Sequence, residues 1–135
     1  MRTSEVPIAL KRWFIIHFAV DILVALPLMI APSSVLSALG WTAIDPLASR
    51  LVAAALMAIG SESYLGRNAT CQSYRGMLRL KIIWSGAAVV ALLISIFTVS
   101  PVPGIVWGLL IIFLSFNLLW IHWMIRLGGK GDGMR

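Results

Sequence analysis

Four runs of apolar residues, each about as long as a bilayer is thick, constrain the fold of this chain more than any other feature. They lie at about residues 13–30, 46–66, 80–99 and 105–126. As a helix, the shortest run would extend roughly 27 Å, just enough to cross the hydrocarbon core. Hydrophobic residues make up 60% of the 135-residue chain, more than a soluble domain of this size can bury. The sequence therefore predicts an all-α integral membrane protein, a four-helix up-down bundle in a single domain, 1–127.

The segments between and after these runs carry two further structural predictions. Residues 32–40 hold no charge, and Ser33 or Ser34 can cap a short helix that the final glycine ends. We expect this helix to lie at the outer interface of the membrane, with Trp41 at the headgroup level. Residues 128–135 are rich in glycine, so we expect a disordered tail.

The basic residues predict the orientation in the membrane. The N-terminal segment, the 67–81 loop and the C-terminal segment carry Lys and Arg, whereas the other two loops carry none. The positive-inside rule then places both termini in the cytoplasm. An even number of spans separately requires both termini on one side of the membrane. A cleaved signal peptide is the rival interpretation of the first run, but that run is long and holds Asp21 at its centre. The predicted location is the cell membrane, specifically the cytoplasmic membrane of a prokaryote.

The net charge of +6 has the same origin as this orientation. The cations lie at the ends of apolar runs, where they interact with anionic headgroups, and they form no water-facing patch for nucleic acid. The expected partner is therefore the lipid bilayer. The single cysteine allows no internal disulfide.

Polar residues within the apolar runs form the candidate site, an intramembrane polar layer of Asp21, Asn117, His17, His122 and Glu62. Asp21 and Asn117 fall at similar depth on helices that neighbour each other in an up-down bundle, so we expect a hydrogen bond between them. A carboxylate at the bilayer centre costs about 2.5–3.5 kcal/mol on insertion scales, so it usually has a role. The polar layer is either a proton relay, a polar pocket for a headgroup, quinone or small solute, or a cluster that sets helix register.

Other residues carry less specific predictions. We expect Arg50, near the outer end of its run, to reach the outer headgroups or to pair with Asp45. Two pairs of small residues have the spacing of close helix packing, more often within a bundle than between protomers: Gly104 and Gly108, and Ala54 and Ala58. We find no catalytic motif, and two histidines without further ligands define no metal or haem site.

The second run resembles a known family. The stretch Arg50-Leu-Val-Ala-Ala-Ala-Leu-Met-Ala-Ile-Gly60, which follows a short uncharged loop containing Gly40-Trp41, looks like the second helix of DoxX-like small membrane proteins. These are four-helix bacterial and archaeal proteins, some of them associated with quinone-linked sulfur oxidation. The resemblance implies a four-helix membrane bundle and transfers no site residues.

Three functions fit these observations. The first is a non-enzymatic accessory or scaffold subunit of a membrane complex, acting with other membrane protein subunits or through self-association, because almost nothing projects into water. The second is a binder or carrier of a lipophilic molecule or a proton through the polar layer. The third is a membrane subunit of a quinone-linked oxidoreductase. The sequence implies no particular cofactor, although a lipid or a quinone would suit the second and third functions.

Overall fold

The computed structural model describes residues 5–128, and all regular secondary structure within them is helical. The five α-helices are α1 (Ile8–Ile30), α2 (Pro32–Ala38), α3 (Pro46–Leu65), α4 (Cys71–Thr98) and α5 (Ile105–Gly128). A short 3-10 turn, Gly66–Asn68, follows α3. The all-helical prediction is confirmed over this part of the chain.

Three of these helices, α1, α4 and α5, are long and apolar enough to cross a membrane. The helix α3 has 20 residues, but it is not among the three. Its sequence carries Arg50 and Glu62 together with several serines, which lower its mean hydropathy. The composition and length of the helices support a membrane protein, and a crossing by α3 stays a prediction.

The helix α4 begins at Cys71, well before the apolar run at residue 80. Thr70 caps it, since the Thr70 hydroxyl accepts a hydrogen bond of 3.3 Å from the backbone N–H of Ser73. The 67–81 segment, expected as a basic loop, is therefore mostly helix. Arginine and lysine are good helix formers, so the helix extends beyond the apolar residues that mark the span. The same reason explains why α1 begins at Ile8 and not at residue 13.

The short helix α2 occurs where the sequence predicts it, but its N-terminus is formed differently. Pro32 occupies the first helical turn, where its missing N–H costs nothing, and no side chain caps the preceding Ala31. The two serines after Pro32 therefore do not act as caps. At the other end Gly40 has a φ of 93°, and the N–H of Trp41 donates to the carbonyl of Leu36 at 3.0 Å. A glycine adopts this left-handed conformation at little cost, which ends the helix.

The first compact unit comprises Ile8–Asn68, and its helices α1 and α3 run antiparallel. Phe18 stacks on Tyr64 with ring centroids 5.0 Å apart, whereas Met29, later in α1, accepts a hydrogen bond from Arg50, earlier in α3. The buried residues recur every three or four positions, as helix packing requires. They are Leu10, Phe14, His17, Asp21, Ala25 and Leu28 on α1, and Ala53, Leu56, Gly60 and Ser63 on α3.

Among the described residues, the second compact unit takes in residues 69–128, together with the three residues before α1. Its helices α4 and α5 are also antiparallel. Asn117 donates to the carbonyl of Ile82, while Leu127, later in α5, accepts from Arg75, earlier in α4. These two contacts lie at different points of the helix pair, one partway along it and one at its end.

The predicted C-terminal tail overlaps the structure at one residue. Gly128 is the last residue of α5, so it belongs to the helix, although the tail was expected from residue 128. The remainder of that predicted tail, residues 129–135, lies outside the described residues.

Candidate functional site

The centre of the candidate site is a buried pair of ionisable side chains on α1. His17 and Asp21 are one helical turn apart, and His17 Nδ1 lies 2.9 Å from Asp21 Oδ2. Their side chains are only 10% and 7% exposed. Residues four positions apart share a face of a helix, and here that face is the one that packs on α3. The two ionisable groups therefore lie next to each other in the packed face of α1.

Gly60 on α3 makes room for this pair. A Cβ atom placed on Gly60 would lie 2.7 Å from the Cβ of Asp21 and 3.1 Å from its Oδ2. The first distance is shorter than the contacts that real Cβ atoms make, so α3 can approach α1 this closely only with glycine at this position. Gly60 is the residue of the site that sequence reasoning missed. Its spacing from Ala53 and Leu56 fits one face of the helix, but the sequence did not distinguish this face from the one that carries Ala54 and Ala58.

The carboxylate of Asp21 is incompletely hydrogen-bonded. Within residues 5–128 its Oδ2 is buried and accepts no hydrogen bond, although His17 Nδ1 is within ion-pair distance. His17 Nδ1 is therefore close to this oxygen without making a well-aligned hydrogen bond to it. A buried carboxylate oxygen without a donor is costly. Chemically, a facing imidazole and carboxylate can hold a proton between them.

Asn117, the other central residue of the predicted polar layer, bonds to its own helix partner. Its Nδ2 donates to the Ile82 carbonyl at 2.9 Å and to the Ser85 hydroxyl at 2.9 Å. Its amide nitrogen also lies 3.5 Å from where a Cβ on Gly86 would be. These contacts join α5 to α4 and use both hydrogens of the amide. The expected bond between Asn117 and Asp21 stays a prediction.

Glu62 and His122, the remaining members of the predicted polar layer, have exposed side chains. Glu62 lies two residues after Gly60, so it projects from a different face of α3. His122 contacts the adjacent Trp123 edge to face, with ring centroids 5.7 Å apart. The buried ionisable pair of the first unit is thus His17 and Asp21, without Glu62.

The residues expected at the outer end of α3 bind the backbone of the first unit. Asp45 caps α3, since its Oδ1 accepts hydrogen bonds from Leu47 N at 2.8 Å and Ala48 N at 3.1 Å. Arg50 donates from Nε to the carbonyl of Met29 at 3.2 Å. Within the described residues no ion pair joins Arg50 to Asp45. Arg50 instead bonds to the C-terminal turn of α1, where the unpaired carbonyls attract a cation.

The small residues at helix-packing spacing are not those that pack within the two units. Ala54 and Ala58 lie on the exposed side of α3, while its buried face carries Gly60. A Cβ on Gly104 would meet no described atom within 4 Å, and one on Gly108 would meet only Ile105 of its own helix, at 3.9 Å. Spacing alone did not distinguish the two faces of α3, because alanine occurs on both.

Lys81 is a buried cation that the sequence placed in a loop. It is 3% exposed, and its Nζ lies 5.4 Å from the centroid of the Trp120 ring. The face of an indole ring attracts a cation. Because α4 begins ten residues earlier, at Cys71, Lys81 belongs to the packed part of the helix.

The described residues contain no group of three or more His, Cys, Asp or Glu side chains that could hold a metal ion.

No family model, curated protein or solved structure matches the chain. The resemblance of α3 to DoxX-like proteins therefore stays a prediction.

Proposed function

We propose that this chain is a small multi-pass membrane protein that acts as a non-enzymatic accessory or scaffold subunit of a membrane complex. The observation that carries the proposal is how much apolar helix surface is left uncovered. In the most apolar 18-residue stretch of α4, and in that of α5, only 11% of the residues are buried. Such surfaces are suited to lipid and to the apolar helices of other membrane proteins.

The short connections between the helices support the same proposal. The longest stretch between two described α-helices is residues 39–45, and α4 and α5 are joined by residues 99–104. Connections of this length cannot form a water-facing domain within residues 5–128. A protein built in this way acts through contacts made within the membrane.

The test is extraction of the tagged full chain in a mild detergent, followed by size-exclusion chromatography with mass determination. We expect the chain to elute with another membrane protein in fixed proportion, or as a defined oligomer. A tagged multi-span protein of similar size, expressed in the same cells, controls for non-specific association. A monodisperse monomer free of protein partners would overturn the proposal.

A second candidate function is favoured by one observation, the buried pair of His17 and Asp21. In this function the chain binds or carries a lipophilic molecule or a proton. An ionisable group within a membrane span is costly and usually functional, and Asp21 Oδ2 lacks a hydrogen-bond donor among the described residues. A ligand with a hydroxyl or carbonyl group, such as a quinol or quinone, could hydrogen-bond to this pair.

Organic extraction of the same purified sample, analysed by mass spectrometry, tests the second function. If the second function is right, a quinone or lipid should be present in near-stoichiometric amount in the wild-type chain. The same molecule should be absent from Asp21→Asn. Equal content in the wild type, in Asp21→Asn and in the unrelated control protein would contradict ligand binding at this site.

A further inference from the structure

We propose that the N-terminal turns of α4 and the last turn of α5 bind the phosphate of an anionic phospholipid headgroup. The proposal concerns three arginines, Arg75, Arg79 and Arg126, which we call the arginine cluster. It is independent of the function proposed above.

Charge composition is the first argument. Between residues 69 and 128 the sequence has no Asp or Glu at all, and its only Lys and Arg residues are Arg75, Arg79, Lys81 and Arg126. The second unit therefore has no carboxylate of its own in this range to neutralise these cations. An excess of positive charge with no carboxylate nearby in the sequence favours an anion from outside the chain.

The antiparallel packing brings the arginine cluster to one end of the helix pair. Arg75 Nη2 donates to the carbonyl of Leu127 at 2.6 Å, and Leu127 directly follows Arg126 in the sequence. Arg79 lies one turn after Arg75 and hence on the same side of α4. The start of α4 and the end of α5 therefore present the three guanidinium groups at one end of the unit.

Two of these arginines are held in place by contacts that leave donors available. The bond to Leu127 uses one N–H of Arg75, whereas a guanidinium carries five. The Cζ of Arg126 lies 5.8 Å from the centroid of the Trp123 ring. Arg79 and Arg126 are exposed. A guanidinium can bind two phosphate oxygens at once through two parallel N–H bonds. Arginine therefore suits a phosphate better than lysine, whose ammonium acts as a point charge.

The surroundings of the arginine cluster favour a lipid over a soluble anion. Apolar side chains beside it are exposed, with Ile83 at 68% and Ile125 at 69%. Most of the apolar residues of α4 follow Arg79, and those of α5 precede Arg126. Cations at the end of an apolar helix mark the headgroup level of a membrane. A phospholipid can place its phosphate on the arginines and its acyl chains along the exposed isoleucines.

Native mass spectrometry of the full chain in a neutral detergent tests this proposal. The chain is titrated with phosphatidylglycerol and, in parallel, with phosphatidylcholine, which has no net charge. We expect the wild type to retain phosphatidylglycerol preferentially. Because each cation near an anionic headgroup adds substantially to binding, Arg75→Gln, Arg79→Gln and Arg126→Gln combined should weaken that retention by about 100-fold at low salt.

The matched control removes the same amount of charge elsewhere. Lys11→Gln, Arg12→Gln and Arg50→Gln combined lower the net charge equally but leave the arginine cluster intact, so retention should stay near the wild-type value. The single change Arg79→Gln leaves the Arg75–Leu127 bond in place. It should weaken retention about fivefold, which protects the test if the triple variant fails to fold.

Three outcomes would overturn the proposal. One is equal retention of the two lipids by the wild type. Another is an equal loss in the control triple variant, which would indicate a general charge effect. The third is full displacement of phosphatidylglycerol by millimolar inorganic phosphate, which would indicate a site for a soluble anion.

Discussion

Replacing Gly60 by alanine is expected to destabilise the protein by about 1–3 kcal/mol, as overpacking of a close contact does. The added Cβ would lie 2.7 Å from the Cβ of Asp21. That atom is the first of its side chain, so it cannot move aside without moving the backbone of α1. Gly60→Leu should prevent α1 and α3 from packing. The measurement is the apparent midpoint of thermal unfolding in detergent, followed by circular dichroism.

Two other helical glycines provide matched controls. A Cβ on Gly76 meets nothing within 4 Å, and one on Gly108 makes only an ordinary contact of 3.9 Å. Gly76→Ala and Gly108→Ala should therefore leave the midpoint unchanged or raise it, because alanine favours helix over glycine by roughly 0.5–1 kcal/mol. If Gly60→Ala behaved like these two controls, the close approach of α3 to Asp21 would be wrong.

Replacing Asp21 by leucine should also destabilise the chain by about 1–3 kcal/mol. The larger side chain would crowd Gly60, and the carboxylate 2.9 Å from His17 Nδ1 would be lost. Asp21→Asn keeps the shape of the side chain and avoids the crowding of Gly60, so we expect a clearly smaller loss. Thermal midpoints of both variants, measured under the same conditions, check the difference.

A double-mutant cycle separates the pair from its surroundings. His17→Ala, Asp21→Ala and the combined variant give the coupling free energy between the two side chains. A coupling well above the roughly 0.3–0.5 kcal/mol of an exposed pair at this spacing would show a desolvated ion pair. If Asp21→Asn were as damaging as Asp21→Leu, the negative charge itself would be required for stability. If Asp21→Asn were stable but failed in ligand binding, the carboxylate would belong to the second candidate function.

The sequence predicted the helices well because the apolar runs are long and bounded by strong signals. Pro46 follows a capping Asp45, and α3 begins there in the structure. The start of α4 was missed by about two and a half turns. The prediction placed the start of α4 where the apolar residues begin. The helical hydrogen bonds of the backbone extend further towards the N-terminus, through Arg79 and Arg75 to Cys71. Hydropathy measures the preference for lipid, and helix formation does not depend on it alone.

The candidate site was predicted in part. The spacing of His17 and Asp21 was enough to place them on one face, since four residues make about one turn. Nothing in a single sequence identified which face of α3 would meet them. Small residues at positions 54 and 58 matched a packing motif as well as Gly60 did, and the choice depends on how the two helices pack. Lys81 could not be recognised as buried either, because the sequence placed it in a basic loop, whereas α4 begins at Cys71.

The sequence predicts that the chain crosses the membrane four times with both termini in the cytoplasm, and α3 is the helix on which this prediction depends. The three most apolar helices alone would give three crossings and termini on opposite sides. The two arrangements differ in where the connections on either side of α3 lie. In the four-span arrangement these connections are on opposite sides of the membrane, and in the three-span arrangement they share a side.

Labelling with a thiol reagent that cannot cross membranes distinguishes the two most directly. Cys71 is first replaced by serine. Single cysteines are then introduced as Thr42→Cys, Asn68→Cys and Val99→Cys, all at exposed positions between α-helices. We predict labelling at positions 42 and 99 in intact cells, and labelling at position 68 only after the membrane is permeabilised. Labelling of positions 42 and 68 from the same side, with position 99 opposite, would contradict the account.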